Sequence, residues 1–216
     1  MLAAVSHDLK TPITRMRLRA EFVSDEALRE EIDADLSEME AMIESTLAFL
    51  RGESETEAAR VVDVVAILET VCDDLADRGH KVELVAPAQA PLLCRSLAIK
   101  RALSNLIDNA VKYGGNAAVS LVVLRDELEI TIDDDGPGIP HDQIEAVFDP
   151  FYRVESSRSR ETGGSGLGLT VARSLIRSHG GEIALQNGPK AGLRVTVRLP
   201  RIALEAMQMA AHSGGR

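Results

Sequence analysis

The stretch Asn105-Leu106-Ile107-Asp108-Asn109-Ala110-Val111-Lys112-Tyr113 completes a predicted helix that begins near Ser96. Asn105, Asn109 and Lys112 follow one another at i, i+4 and i+7, so they share one helix face. Asparagine side chains buried on such a face cost free energy unless they bind polar ligands. The stretch therefore predicts either a polar ligand site or an ordinary solvated helix face.

The segments around this helix carry strand and helix patterns. Further helices are expected at about 64–78 and after Gly166. Strands are expected at Lys81–Val85, 117–124, 127–133, Glu182–Gln186 and Leu193–Leu199, with a hairpin turn at Arg125-Asp126. Grouped strands with segregated helices predict an α+β fold, a two-layer α/β sandwich rather than a Rossmann order.

Residues 1–50 contain one proline and no glycine, and their composition is typical of helices. Two apolar stripes are separated by a break at Ser24-Asp25, where Ser24 is the expected N-cap of the second helix. The pattern predicts an antiparallel helical hairpin. Because one hairpin cannot bury both stripes, we expect a homodimer that forms a four-helix bundle through residues 1–50.

A change in composition after the hairpin divides the chain. The polar stretch at 51–57 ends the second helix and indicates a linker. The predicted organisation is a helical hairpin at 1–53, a linker at 54–60, an α/β domain at 61–202 and a C-terminal tail at 203–216.

Composition excludes several classes of function. The 216 residues carry a net charge of −10, and aromatic residues make up 3% with no tryptophan, which argues against nucleic-acid binding. Cys72 and Cys94 lack the spacing of a metal site and are expected to be buried thiols. No apolar run is long enough to span a bilayer, so this fragment is expected to make no membrane contact.

His7 is expected on the face of the first helix opposite its apolar stripe. Thr11 lies one turn later on the same face, Asp8 is adjacent, and Pro12 should bend the helix beside them. An exposed imidazole is mostly neutral above pH 7 and can act as a nucleophile, with Asp8 orienting its ring. By itself, His7 could equally be an ordinary surface histidine.

The segment Ser6-His7-Asp8-Leu9-Lys10-Thr11-Pro12-Ile13 resembles the phosphoacceptor box of sensor histidine kinases, in the His-Asp-x-x-Thr-Pro subgroup of osmosensor-like kinases. The resemblance implies that His7 accepts a phosphoryl group and that Asp8 assists the transfer. It also implies that Thr11 helps to place a water that hydrolyses the phosphorylated partner, although Thr11 could merely cap or pack.

Residues 105–113 resemble the asparagine box of the same family, which implies that Asn109 is a Mg²⁺ ligand. Independently of that resemblance, Lys112 suits a phosphate and Tyr113 suits a nucleotide base. Asp133-Asp134-Asp135-Gly136-Pro137-Gly138 ends a strand, and the pattern also suits an ordinary turn. By resemblance, the aspartate directly before Gly-x-Gly contacts adenine, so Asp135 is the expected contact, with Gly138 beside it.

Two further boxes complete the resemblance over roughly residues 1–200. Phe148-Asp149-Pro150-Phe151-Tyr152-Arg153 resembles the phenylalanine box, whose rings we interpret as lid anchors or as packing residues, with Arg153 on the phosphates. A glycine-rich segment that opens a helix suits phosphate binding and resembles the second glycine box. Its expected ATP-binding residues are Gly164, Ser165, Gly166, Leu167, Gly168 and Leu169.

Together these boxes imply an ATP-binding domain of the GHKL ATPase type and a Mg-ATP-dependent histidine autokinase. The expected partner is the receiver domain of a response regulator, with phosphatase activity toward it. We expect a cytoplasmic part, shortened at its start, of an inner-membrane sensor kinase. Leu18 and Phe22 suit either partner docking or bundle packing. The alternatives are an ATP-driven conformational machine and an ATP-binding scaffold.

Overall fold

The computed structural model describes the backbone of residues 2–51, 57–154, 166–188 and 191–201. Within the first range, side chains are described at 11–33, 35–37, 39–40 and 43. The tail predicted at 203–216 and residues 54–56 of the predicted linker lie outside the described residues.

Helix α1 (Leu2–Ala20) and helix α2 (Glu26–Arg51) form the N-terminal hairpin. The cap of α2 differs from the predicted Ser24, because Asp25 Oδ1 accepts the backbone N–H of Leu28 at 3.2 Å. Aspartate and serine are both strong N-caps, and here the residue nearer to the helix is used.

Arg17 of α1 joins the two helices. Its guanidinium donates to Asp33 Oδ1 at 3.0 Å, to Ser37 Oγ at 3.1 Å and to Glu40 Oε2 at 3.3 Å. Below this network, Ile13 and Leu36 are buried. Other members of the two predicted apolar stripes remain exposed, namely Met16, Leu28 and Met39. The isolated hairpin therefore leaves part of its apolar surface uncovered, as expected of half a bundle.

The α/β domain contains three helices and seven strands among the described residues. The helices are α3 (Val64–Ala76), α4 (Ser96–Gly114) and α5 (Gly168–Arg177). The strands are β1 (Arg60–Asp63), β2 (Lys81–Val85), β3 (Pro91–Cys94), β4 (Asn116–Val123), β5 (Glu127–Asp133), β6 (Glu182–Asn187) and β7 (Leu193–Pro200). Two short 3₁₀ turns, His141–Gln143 and Ala146–Phe148, lie between β5 and α5.

Five strands form the main sheet in the order β2-β4-β5-β7-β6. The β2–β4 pair is parallel, and the other neighbours are antiparallel. The sequence did not predict β1 and β3, which pair with each other as a separate antiparallel ribbon. Each has four residues, which is too short for a clear alternation.

The core lies between one face of this sheet and the three helices. Inward-facing strand residues such as Ile130 and Val197 pack in one cluster with α3, α4 and α5. On α4 the buried residues are Ala98, Ile99, Ala102, Leu103, Leu106, Ile107, Ala110 and Val111. The predicted two-layer α/β sandwich is confirmed.

Two carboxylate side chains cap the starts of α3 and α4 in this domain. Asp63 Oδ1 accepts the N–H groups of Val65 and Ala90 at the start of α3. Glu57 Oε2 accepts the N–H of Leu97 at 3.0 Å at the start of α4, and Glu57 Oε1 accepts the Ser96 hydroxyl. Burial alone would raise the pKa of Glu57, but these hydrogen bonds hold it below its usual value.

His179 connects the end of α5 to the start of α4. Its Nε2 accepts the backbone N–H of Arg95 at 3.2 Å, and its Nδ1 lies 2.7 Å from the carbonyl oxygen of Leu175. A neutral ring that is protonated at Nδ1 satisfies both contacts. Burial, aided by the charge of Arg95, lowers the pKa of His179 below 6.5.

Replacing Leu103 with alanine should lower the free energy of unfolding by about 2–5 kcal/mol, because its fully buried side chain would leave a cavity. The matched control is Leu97→Ala on the same helix, where the leucine is 70% exposed and the loss should stay within about 0.5 kcal/mol. Urea unfolding measures both values. Equal losses at the two positions would contradict the packing of α4.

The free energy of unfolding should fall as the pH drops through about 6.5 toward the lower folded-state pKa of His179. In that window the unfolded chain binds more protons than the folded chain, whereas above it the neutral-ring contribution is fully present. His179→Gln removes this titration. The difference in the free energy of unfolding between this variant and the wild type, measured with urea, should therefore become smaller as the pH is lowered from 7.5 to 5.5. A constant difference would contradict the neutral ring.

Candidate functional site

Helix α4 carries the first part of the site on the face that the core leaves free. Asn105, Asn109 and Lys112 are half-buried there, while their neighbours Leu106 and Val111 face the core. The amphipathic pattern of α4 thus sets the orientation of the polar side chains. The polar face is neither fully buried nor fully solvated.

The start of α5 packs against this face. A Cβ atom placed on Gly168 would lie 3.7 Å from Asn109 Nδ2 and 4.0 Å from Asn105 Cβ. The predicted second glycine box is therefore next to the predicted asparagine box. Leu167 is buried, whereas Gly166, Gly168 and Leu169 are half-buried. Gly164 and Ser165 lie outside the described residues.

The last residues of α4 extend the candidate site toward the loop after β5. Tyr113 is 46% exposed, and Lys112 Nζ lies 5.6 Å from the centre of its ring. Gly114 packs directly against the side chain of Asp134, where a Cβ would come within 2.5 Å of Asp134 Cβ. The loop after β5 and the end of α4 are therefore in direct contact and form one side of the candidate site.

Asp134 is the half-buried carboxylate of that loop. Its Oδ1 accepts the N–H of Gly136 at 2.8 Å and the N–H of Leu193 at 3.2 Å. Burial raises the pKa of Asp134, and these two hydrogen bonds oppose the rise. Within the described residues, Oδ2 has no hydrogen bond and can accept one from a ligand.

Asp135, the aspartate that the sequence suggested, has different surroundings. It is exposed, and its Oδ2 accepts Asn116 Nδ2 at 2.8 Å. The strand pattern contains the signal that distinguishes the two residues, because Ile130 and Ile132 face the helices and Asp134 continues the same alternation. The geometry favours Asp134, and the choice of Asp135 stays an untested prediction.

Gly138 lies where the loop meets the β6–β7 hairpin. Its φ of 73° is in the left-handed region, and a Cβ there would come within 2.5 Å of Asn187 Oδ1. A glycine is therefore required at this position both for its conformation and for the close approach. The sequence analysis did not identify Asn187, which lies 48 residues after Ile139 and accepts the N–H of that loop residue.

The phenylalanine box divides into a buried ring and an exposed ring. Phe148 is 2% exposed, and the Arg173 guanidinium lies 4.2 Å above its centre. Phe151 is 58% exposed, has a φ of 66° and donates its N–H to the Gly166 carbonyl at 3.1 Å. The burial of Phe148 fits either a packing residue or a lid anchor, which stays a prediction, whereas Phe151 lies at the surface beside Gly166. Arg153 is also exposed.

The candidate phosphoacceptor lies in α1. His7 and Asp8 belong to this helix, but their side chains lie outside those that the structure describes. Thr11, one turn after His7, is exposed. Further along, Leu18 and Phe22 are 55% and 87% exposed.

The donor groups near Asn109 bear on the predicted Mg²⁺. In the part of the chain that the structure describes, no cluster of three or more histidine, cysteine or acidic side chains could hold a metal ion. Mg²⁺ bound with a nucleotide needs few protein ligands, because phosphate oxygens and water complete its octahedron. A single amide oxygen from half-buried Asn109 is compatible with that mode of binding.

None of the described helices has a stretch long and apolar enough to cross a bilayer.

Comparison with known proteins places the two regions in known families. Residues 94–203 match the family of histidine kinase-, DNA gyrase B-, and HSP90-like ATPases. Residues 1–55 match the His Kinase A (phospho-acceptor) domain. The predicted GHKL type of fold is therefore confirmed, and the α/β domain is an ATP-binding domain.

Relatives match across both regions. The sensor histidine kinase GtrS of Pseudomonas aeruginosa is 42% identical over 205 residues, covering 95% of this chain and 42% of GtrS. The sensor histidine kinase CpxA of Escherichia coli is 31% identical over 213 residues, covering 93% of this chain and 46% of CpxA. This chain thus spans less than half the length of these curated relatives.

A solved structure matches the α/β domain. The crystal structure of the ATP-binding domain of PrrB from Mycobacterium tuberculosis is 30% identical, with a TM-score of 0.57. The match covers 68% of this chain and 100% of that domain. With its phosphoacceptor hairpin and its ATPase domain, this chain belongs to the sensor histidine kinase family.

Proposed function

We propose that this chain is an ATP-dependent protein-histidine autokinase that phosphorylates His7 and passes the phosphoryl group to an aspartate of a response-regulator receiver domain. The observation that carries the proposal is the contact of Gly168 with Asn105 and Asn109, beside the loop of Asp134. A nucleotide pocket and a phosphoacceptor helix in one chain provide both a phosphoryl donor and an acceptor.

The pocket residues have distinct proposed roles. Oδ2 of Asp134 accepts the exocyclic amine of adenine, and the exposed ring of Tyr113 lies against the base. Lys112 and Arg153 contact the phosphates as cations. The backbone N–H groups at the start of α5 bind phosphate oxygens; the residues proposed for this are Gly164, Ser165, Gly166, Leu167, Gly168 and Leu169.

Asn109 is the proposed protein ligand of Mg²⁺, with Asn105 beside it. When bound, the ion offsets negative charge on the phosphate oxygens. Lys112, one turn after Asn109, contributes a second positive charge on the same helix face. Asn105 and Asn109 act by binding and orientation, because an amide side chain does not ionise at neutral pH and cannot serve as an acid or a base.

In the proposed transfer, a neutral ring nitrogen of His7 attacks the γ-phosphorus in line. The bond from the γ-phosphorus to the β,γ-bridging oxygen breaks, and ADP leaves with that electron pair. During the attack Asp8 accepts a hydrogen bond from the N–H of the second ring nitrogen, and the phosphorylated ring then releases that proton to solvent and becomes neutral. The phosphoryl group next moves to the receiver aspartate, and Thr11 places the water that later hydrolyses the receiver phosphate.

A homodimer through residues 1–50 is part of the proposal. Met16, Leu28 and Met39 lie on the predicted apolar stripes of the hairpin, yet they are 38%, 47% and 46% exposed. A second copy of the hairpin would cover them in a four-helix bundle. Leu18 and Phe22 are available for either receiver docking or bundle packing.

The proposed organisation is a dimerisation and histidine phosphotransfer hairpin at 1–53, a linker at 54–60, a catalytic domain at 61–202 and a tail at 203–216. We propose that it works as the cytoplasmic part of an inner-membrane sensor kinase. Nucleic acid has no role in this proposal, because the net charge of −10 opposes it.

His7→Ala should abolish acid-labile labelling of the protein by γ-labelled ATP, while ATP binding measured by calorimetry stays unchanged. The matched variant Asn109→Ala should lose labelling because it loses the proposed Mg²⁺ ligand. A mixture of the two variants tests whether one subunit phosphorylates its partner. Only the Asn109→Ala chains retain the histidine, so label on them would come from the ATP site of a His7→Ala partner.

Acid-labile label on the His7→Ala chain would contradict the assignment. Steady ATP hydrolysis by the wild type without phosphoprotein would favour an ATP-driven conformational machine. Nucleotide binding with no transfer to any receiver domain would favour a scaffold.

Asp134→Asn should raise the dissociation constant for ATP about 10- to 100-fold. The reason is that the adenine amine loses the charged carboxylate oxygen to which it is proposed to donate. Asp135→Asn should change it by less than about threefold, because that carboxylate is exposed and bonded to Asn116. Calorimetric titration with ATP compares the two variants. A larger effect at Asp135 would restore the choice made from the sequence.

A further inference from the structure

Two asparagines outside the five boxes hold the loop that carries Asp134. Asn116 begins β4 and Asn187 ends β6, so they lie in strands on different sides of β5. Both side chains are half-buried, and both bond to the backbone or side chains of residues 135–139.

Asn187 bonds to both backbone groups of one residue. Ile139 donates its N–H to Asn187 Oδ1 at 2.8 Å, and Asn187 Nδ2 donates to the Ile139 carbonyl at 2.6 Å. A planar amide places an acceptor and a donor side by side, as the backbone of a paired strand does. Asn187 therefore continues the sheet pairing with a side chain at a point where β6 has ended.

Asn116 makes a similar pair of bonds at the other end of the loop. Asp135 donates its N–H to Asn116 Oδ1 at 3.1 Å, and Asn116 Nδ2 donates to Asp135 Oδ2 at 2.8 Å. The loop is thus fixed at residue 135 from β4 and at residue 139 from β6.

Backbone contacts from the β6–β7 hairpin connect these two points to Asp134. Gly192 donates its N–H to the Gly136 carbonyl at 2.7 Å, and Leu193 donates to Asp134 Oδ1 at 3.2 Å. A Cβ on Gly192 would overlap the Asp134 carbonyl oxygen, so the hairpin lies directly against the loop. A shift of the loop would therefore move the free Oδ2 of Asp134.

We propose that Asn116 and Asn187, here called the asparagine bracket, are positioning residues that fix Asp134 for recognition of the adenine base. The proposal rests on the function proposed above, in which Asp134 binds that base. Neither asparagine touches the nucleotide. Their effect is to hold the loop in its bound conformation before ATP arrives, so that binding does not have to order it.

The side-chain chemistry at position 187 explains why asparagine fits there. Aspartate would accept from the Ile139 N–H but would place a charged oxygen opposite the Ile139 carbonyl. Serine would provide one short hydroxyl, which can replace only one of the two bonds. Alanine would leave a half-buried donor and a half-buried acceptor of the loop without these partners.

The test is a double-mutant cycle on ATP binding, measured by calorimetry with the whole chain. Asn187→Ala should raise the dissociation constant for ATP about tenfold, and Asn187→Ser should give an intermediate value. In an Asp134→Asn background, Asn187→Ala should add less than about threefold, because the contact that it positions is already lost. Gln186→Ala, at the exposed neighbouring position of β6, is the matched control and should bind ATP like the wild type.

A merely structural role for Asn187 would weaken ATP binding by the same factor in both backgrounds, and that result would overturn the proposal. Unchanged binding by Asn187→Ala and Asn116→Ala would also overturn it, while leaving the Asp134 assignment intact. Wild-type binding by Asp134→Asn alone would instead show that the proposed role of Asp134 is wrong. If Asn187→Ala fails to fold, Asn187→Ser and Asn116→Ala carry the same cycle.

Discussion

The packing of α4 against the sheet is the constraint on which the rest of the domain depends. Eight residues of this helix are buried, and they fix its rotation about its own axis. That rotation determines the face on which Asn105, Asn109 and Lys112 lie, because the backbone of a helix sets the direction of each Cα–Cβ bond. The same hydrophobic contacts that stabilise the fold therefore orient the groups that are proposed to bind the nucleotide, and a change in core packing should alter nucleotide binding.

The other residues of the candidate site, and the asparagine that supports its loop, lie at the ends of secondary-structure elements. Asp134 follows β5, Asn187 ends β6, and Gly168 begins α5. Strand interiors use their backbone groups in the ladder, whereas strand ends leave N–H and carbonyl groups that side chains can satisfy. The Asn187 side chain satisfies both the N–H and the carbonyl group of Ile139 in this way. The site is consequently rigid where it meets the sheet, although it is made largely of loop residues.

Local patterns in the sequence predicted the longer elements well, because α4 and the strands of the main sheet have clear periodicity. They failed for β1 and β3, whose four residues give no usable alternation. The alternation Ile130, Ile132, Asp134 was present in the sequence, but three consecutive aspartates obscured it. No local pattern could identify Asn187, since its partner Ile139 is 48 residues away. The role of His7 came from family resemblance, because an exposed histidine alone carries little information.

The caps of the helices have an electrostatic consequence for anion selection. The start of a helix carries partial positive charge. In the described structure, this charge is met by Asp25 on α2, by Asp63 on α3 and by Glu57 on α4. At the start of α5 the N-cap residue is Leu167, whose apolar side chain adds no charge of its own. A phosphate group at the start of α5 would therefore meet the partial positive charge of the helix without a carboxylate on the cap residue itself, unlike at the starts of α2 and α3.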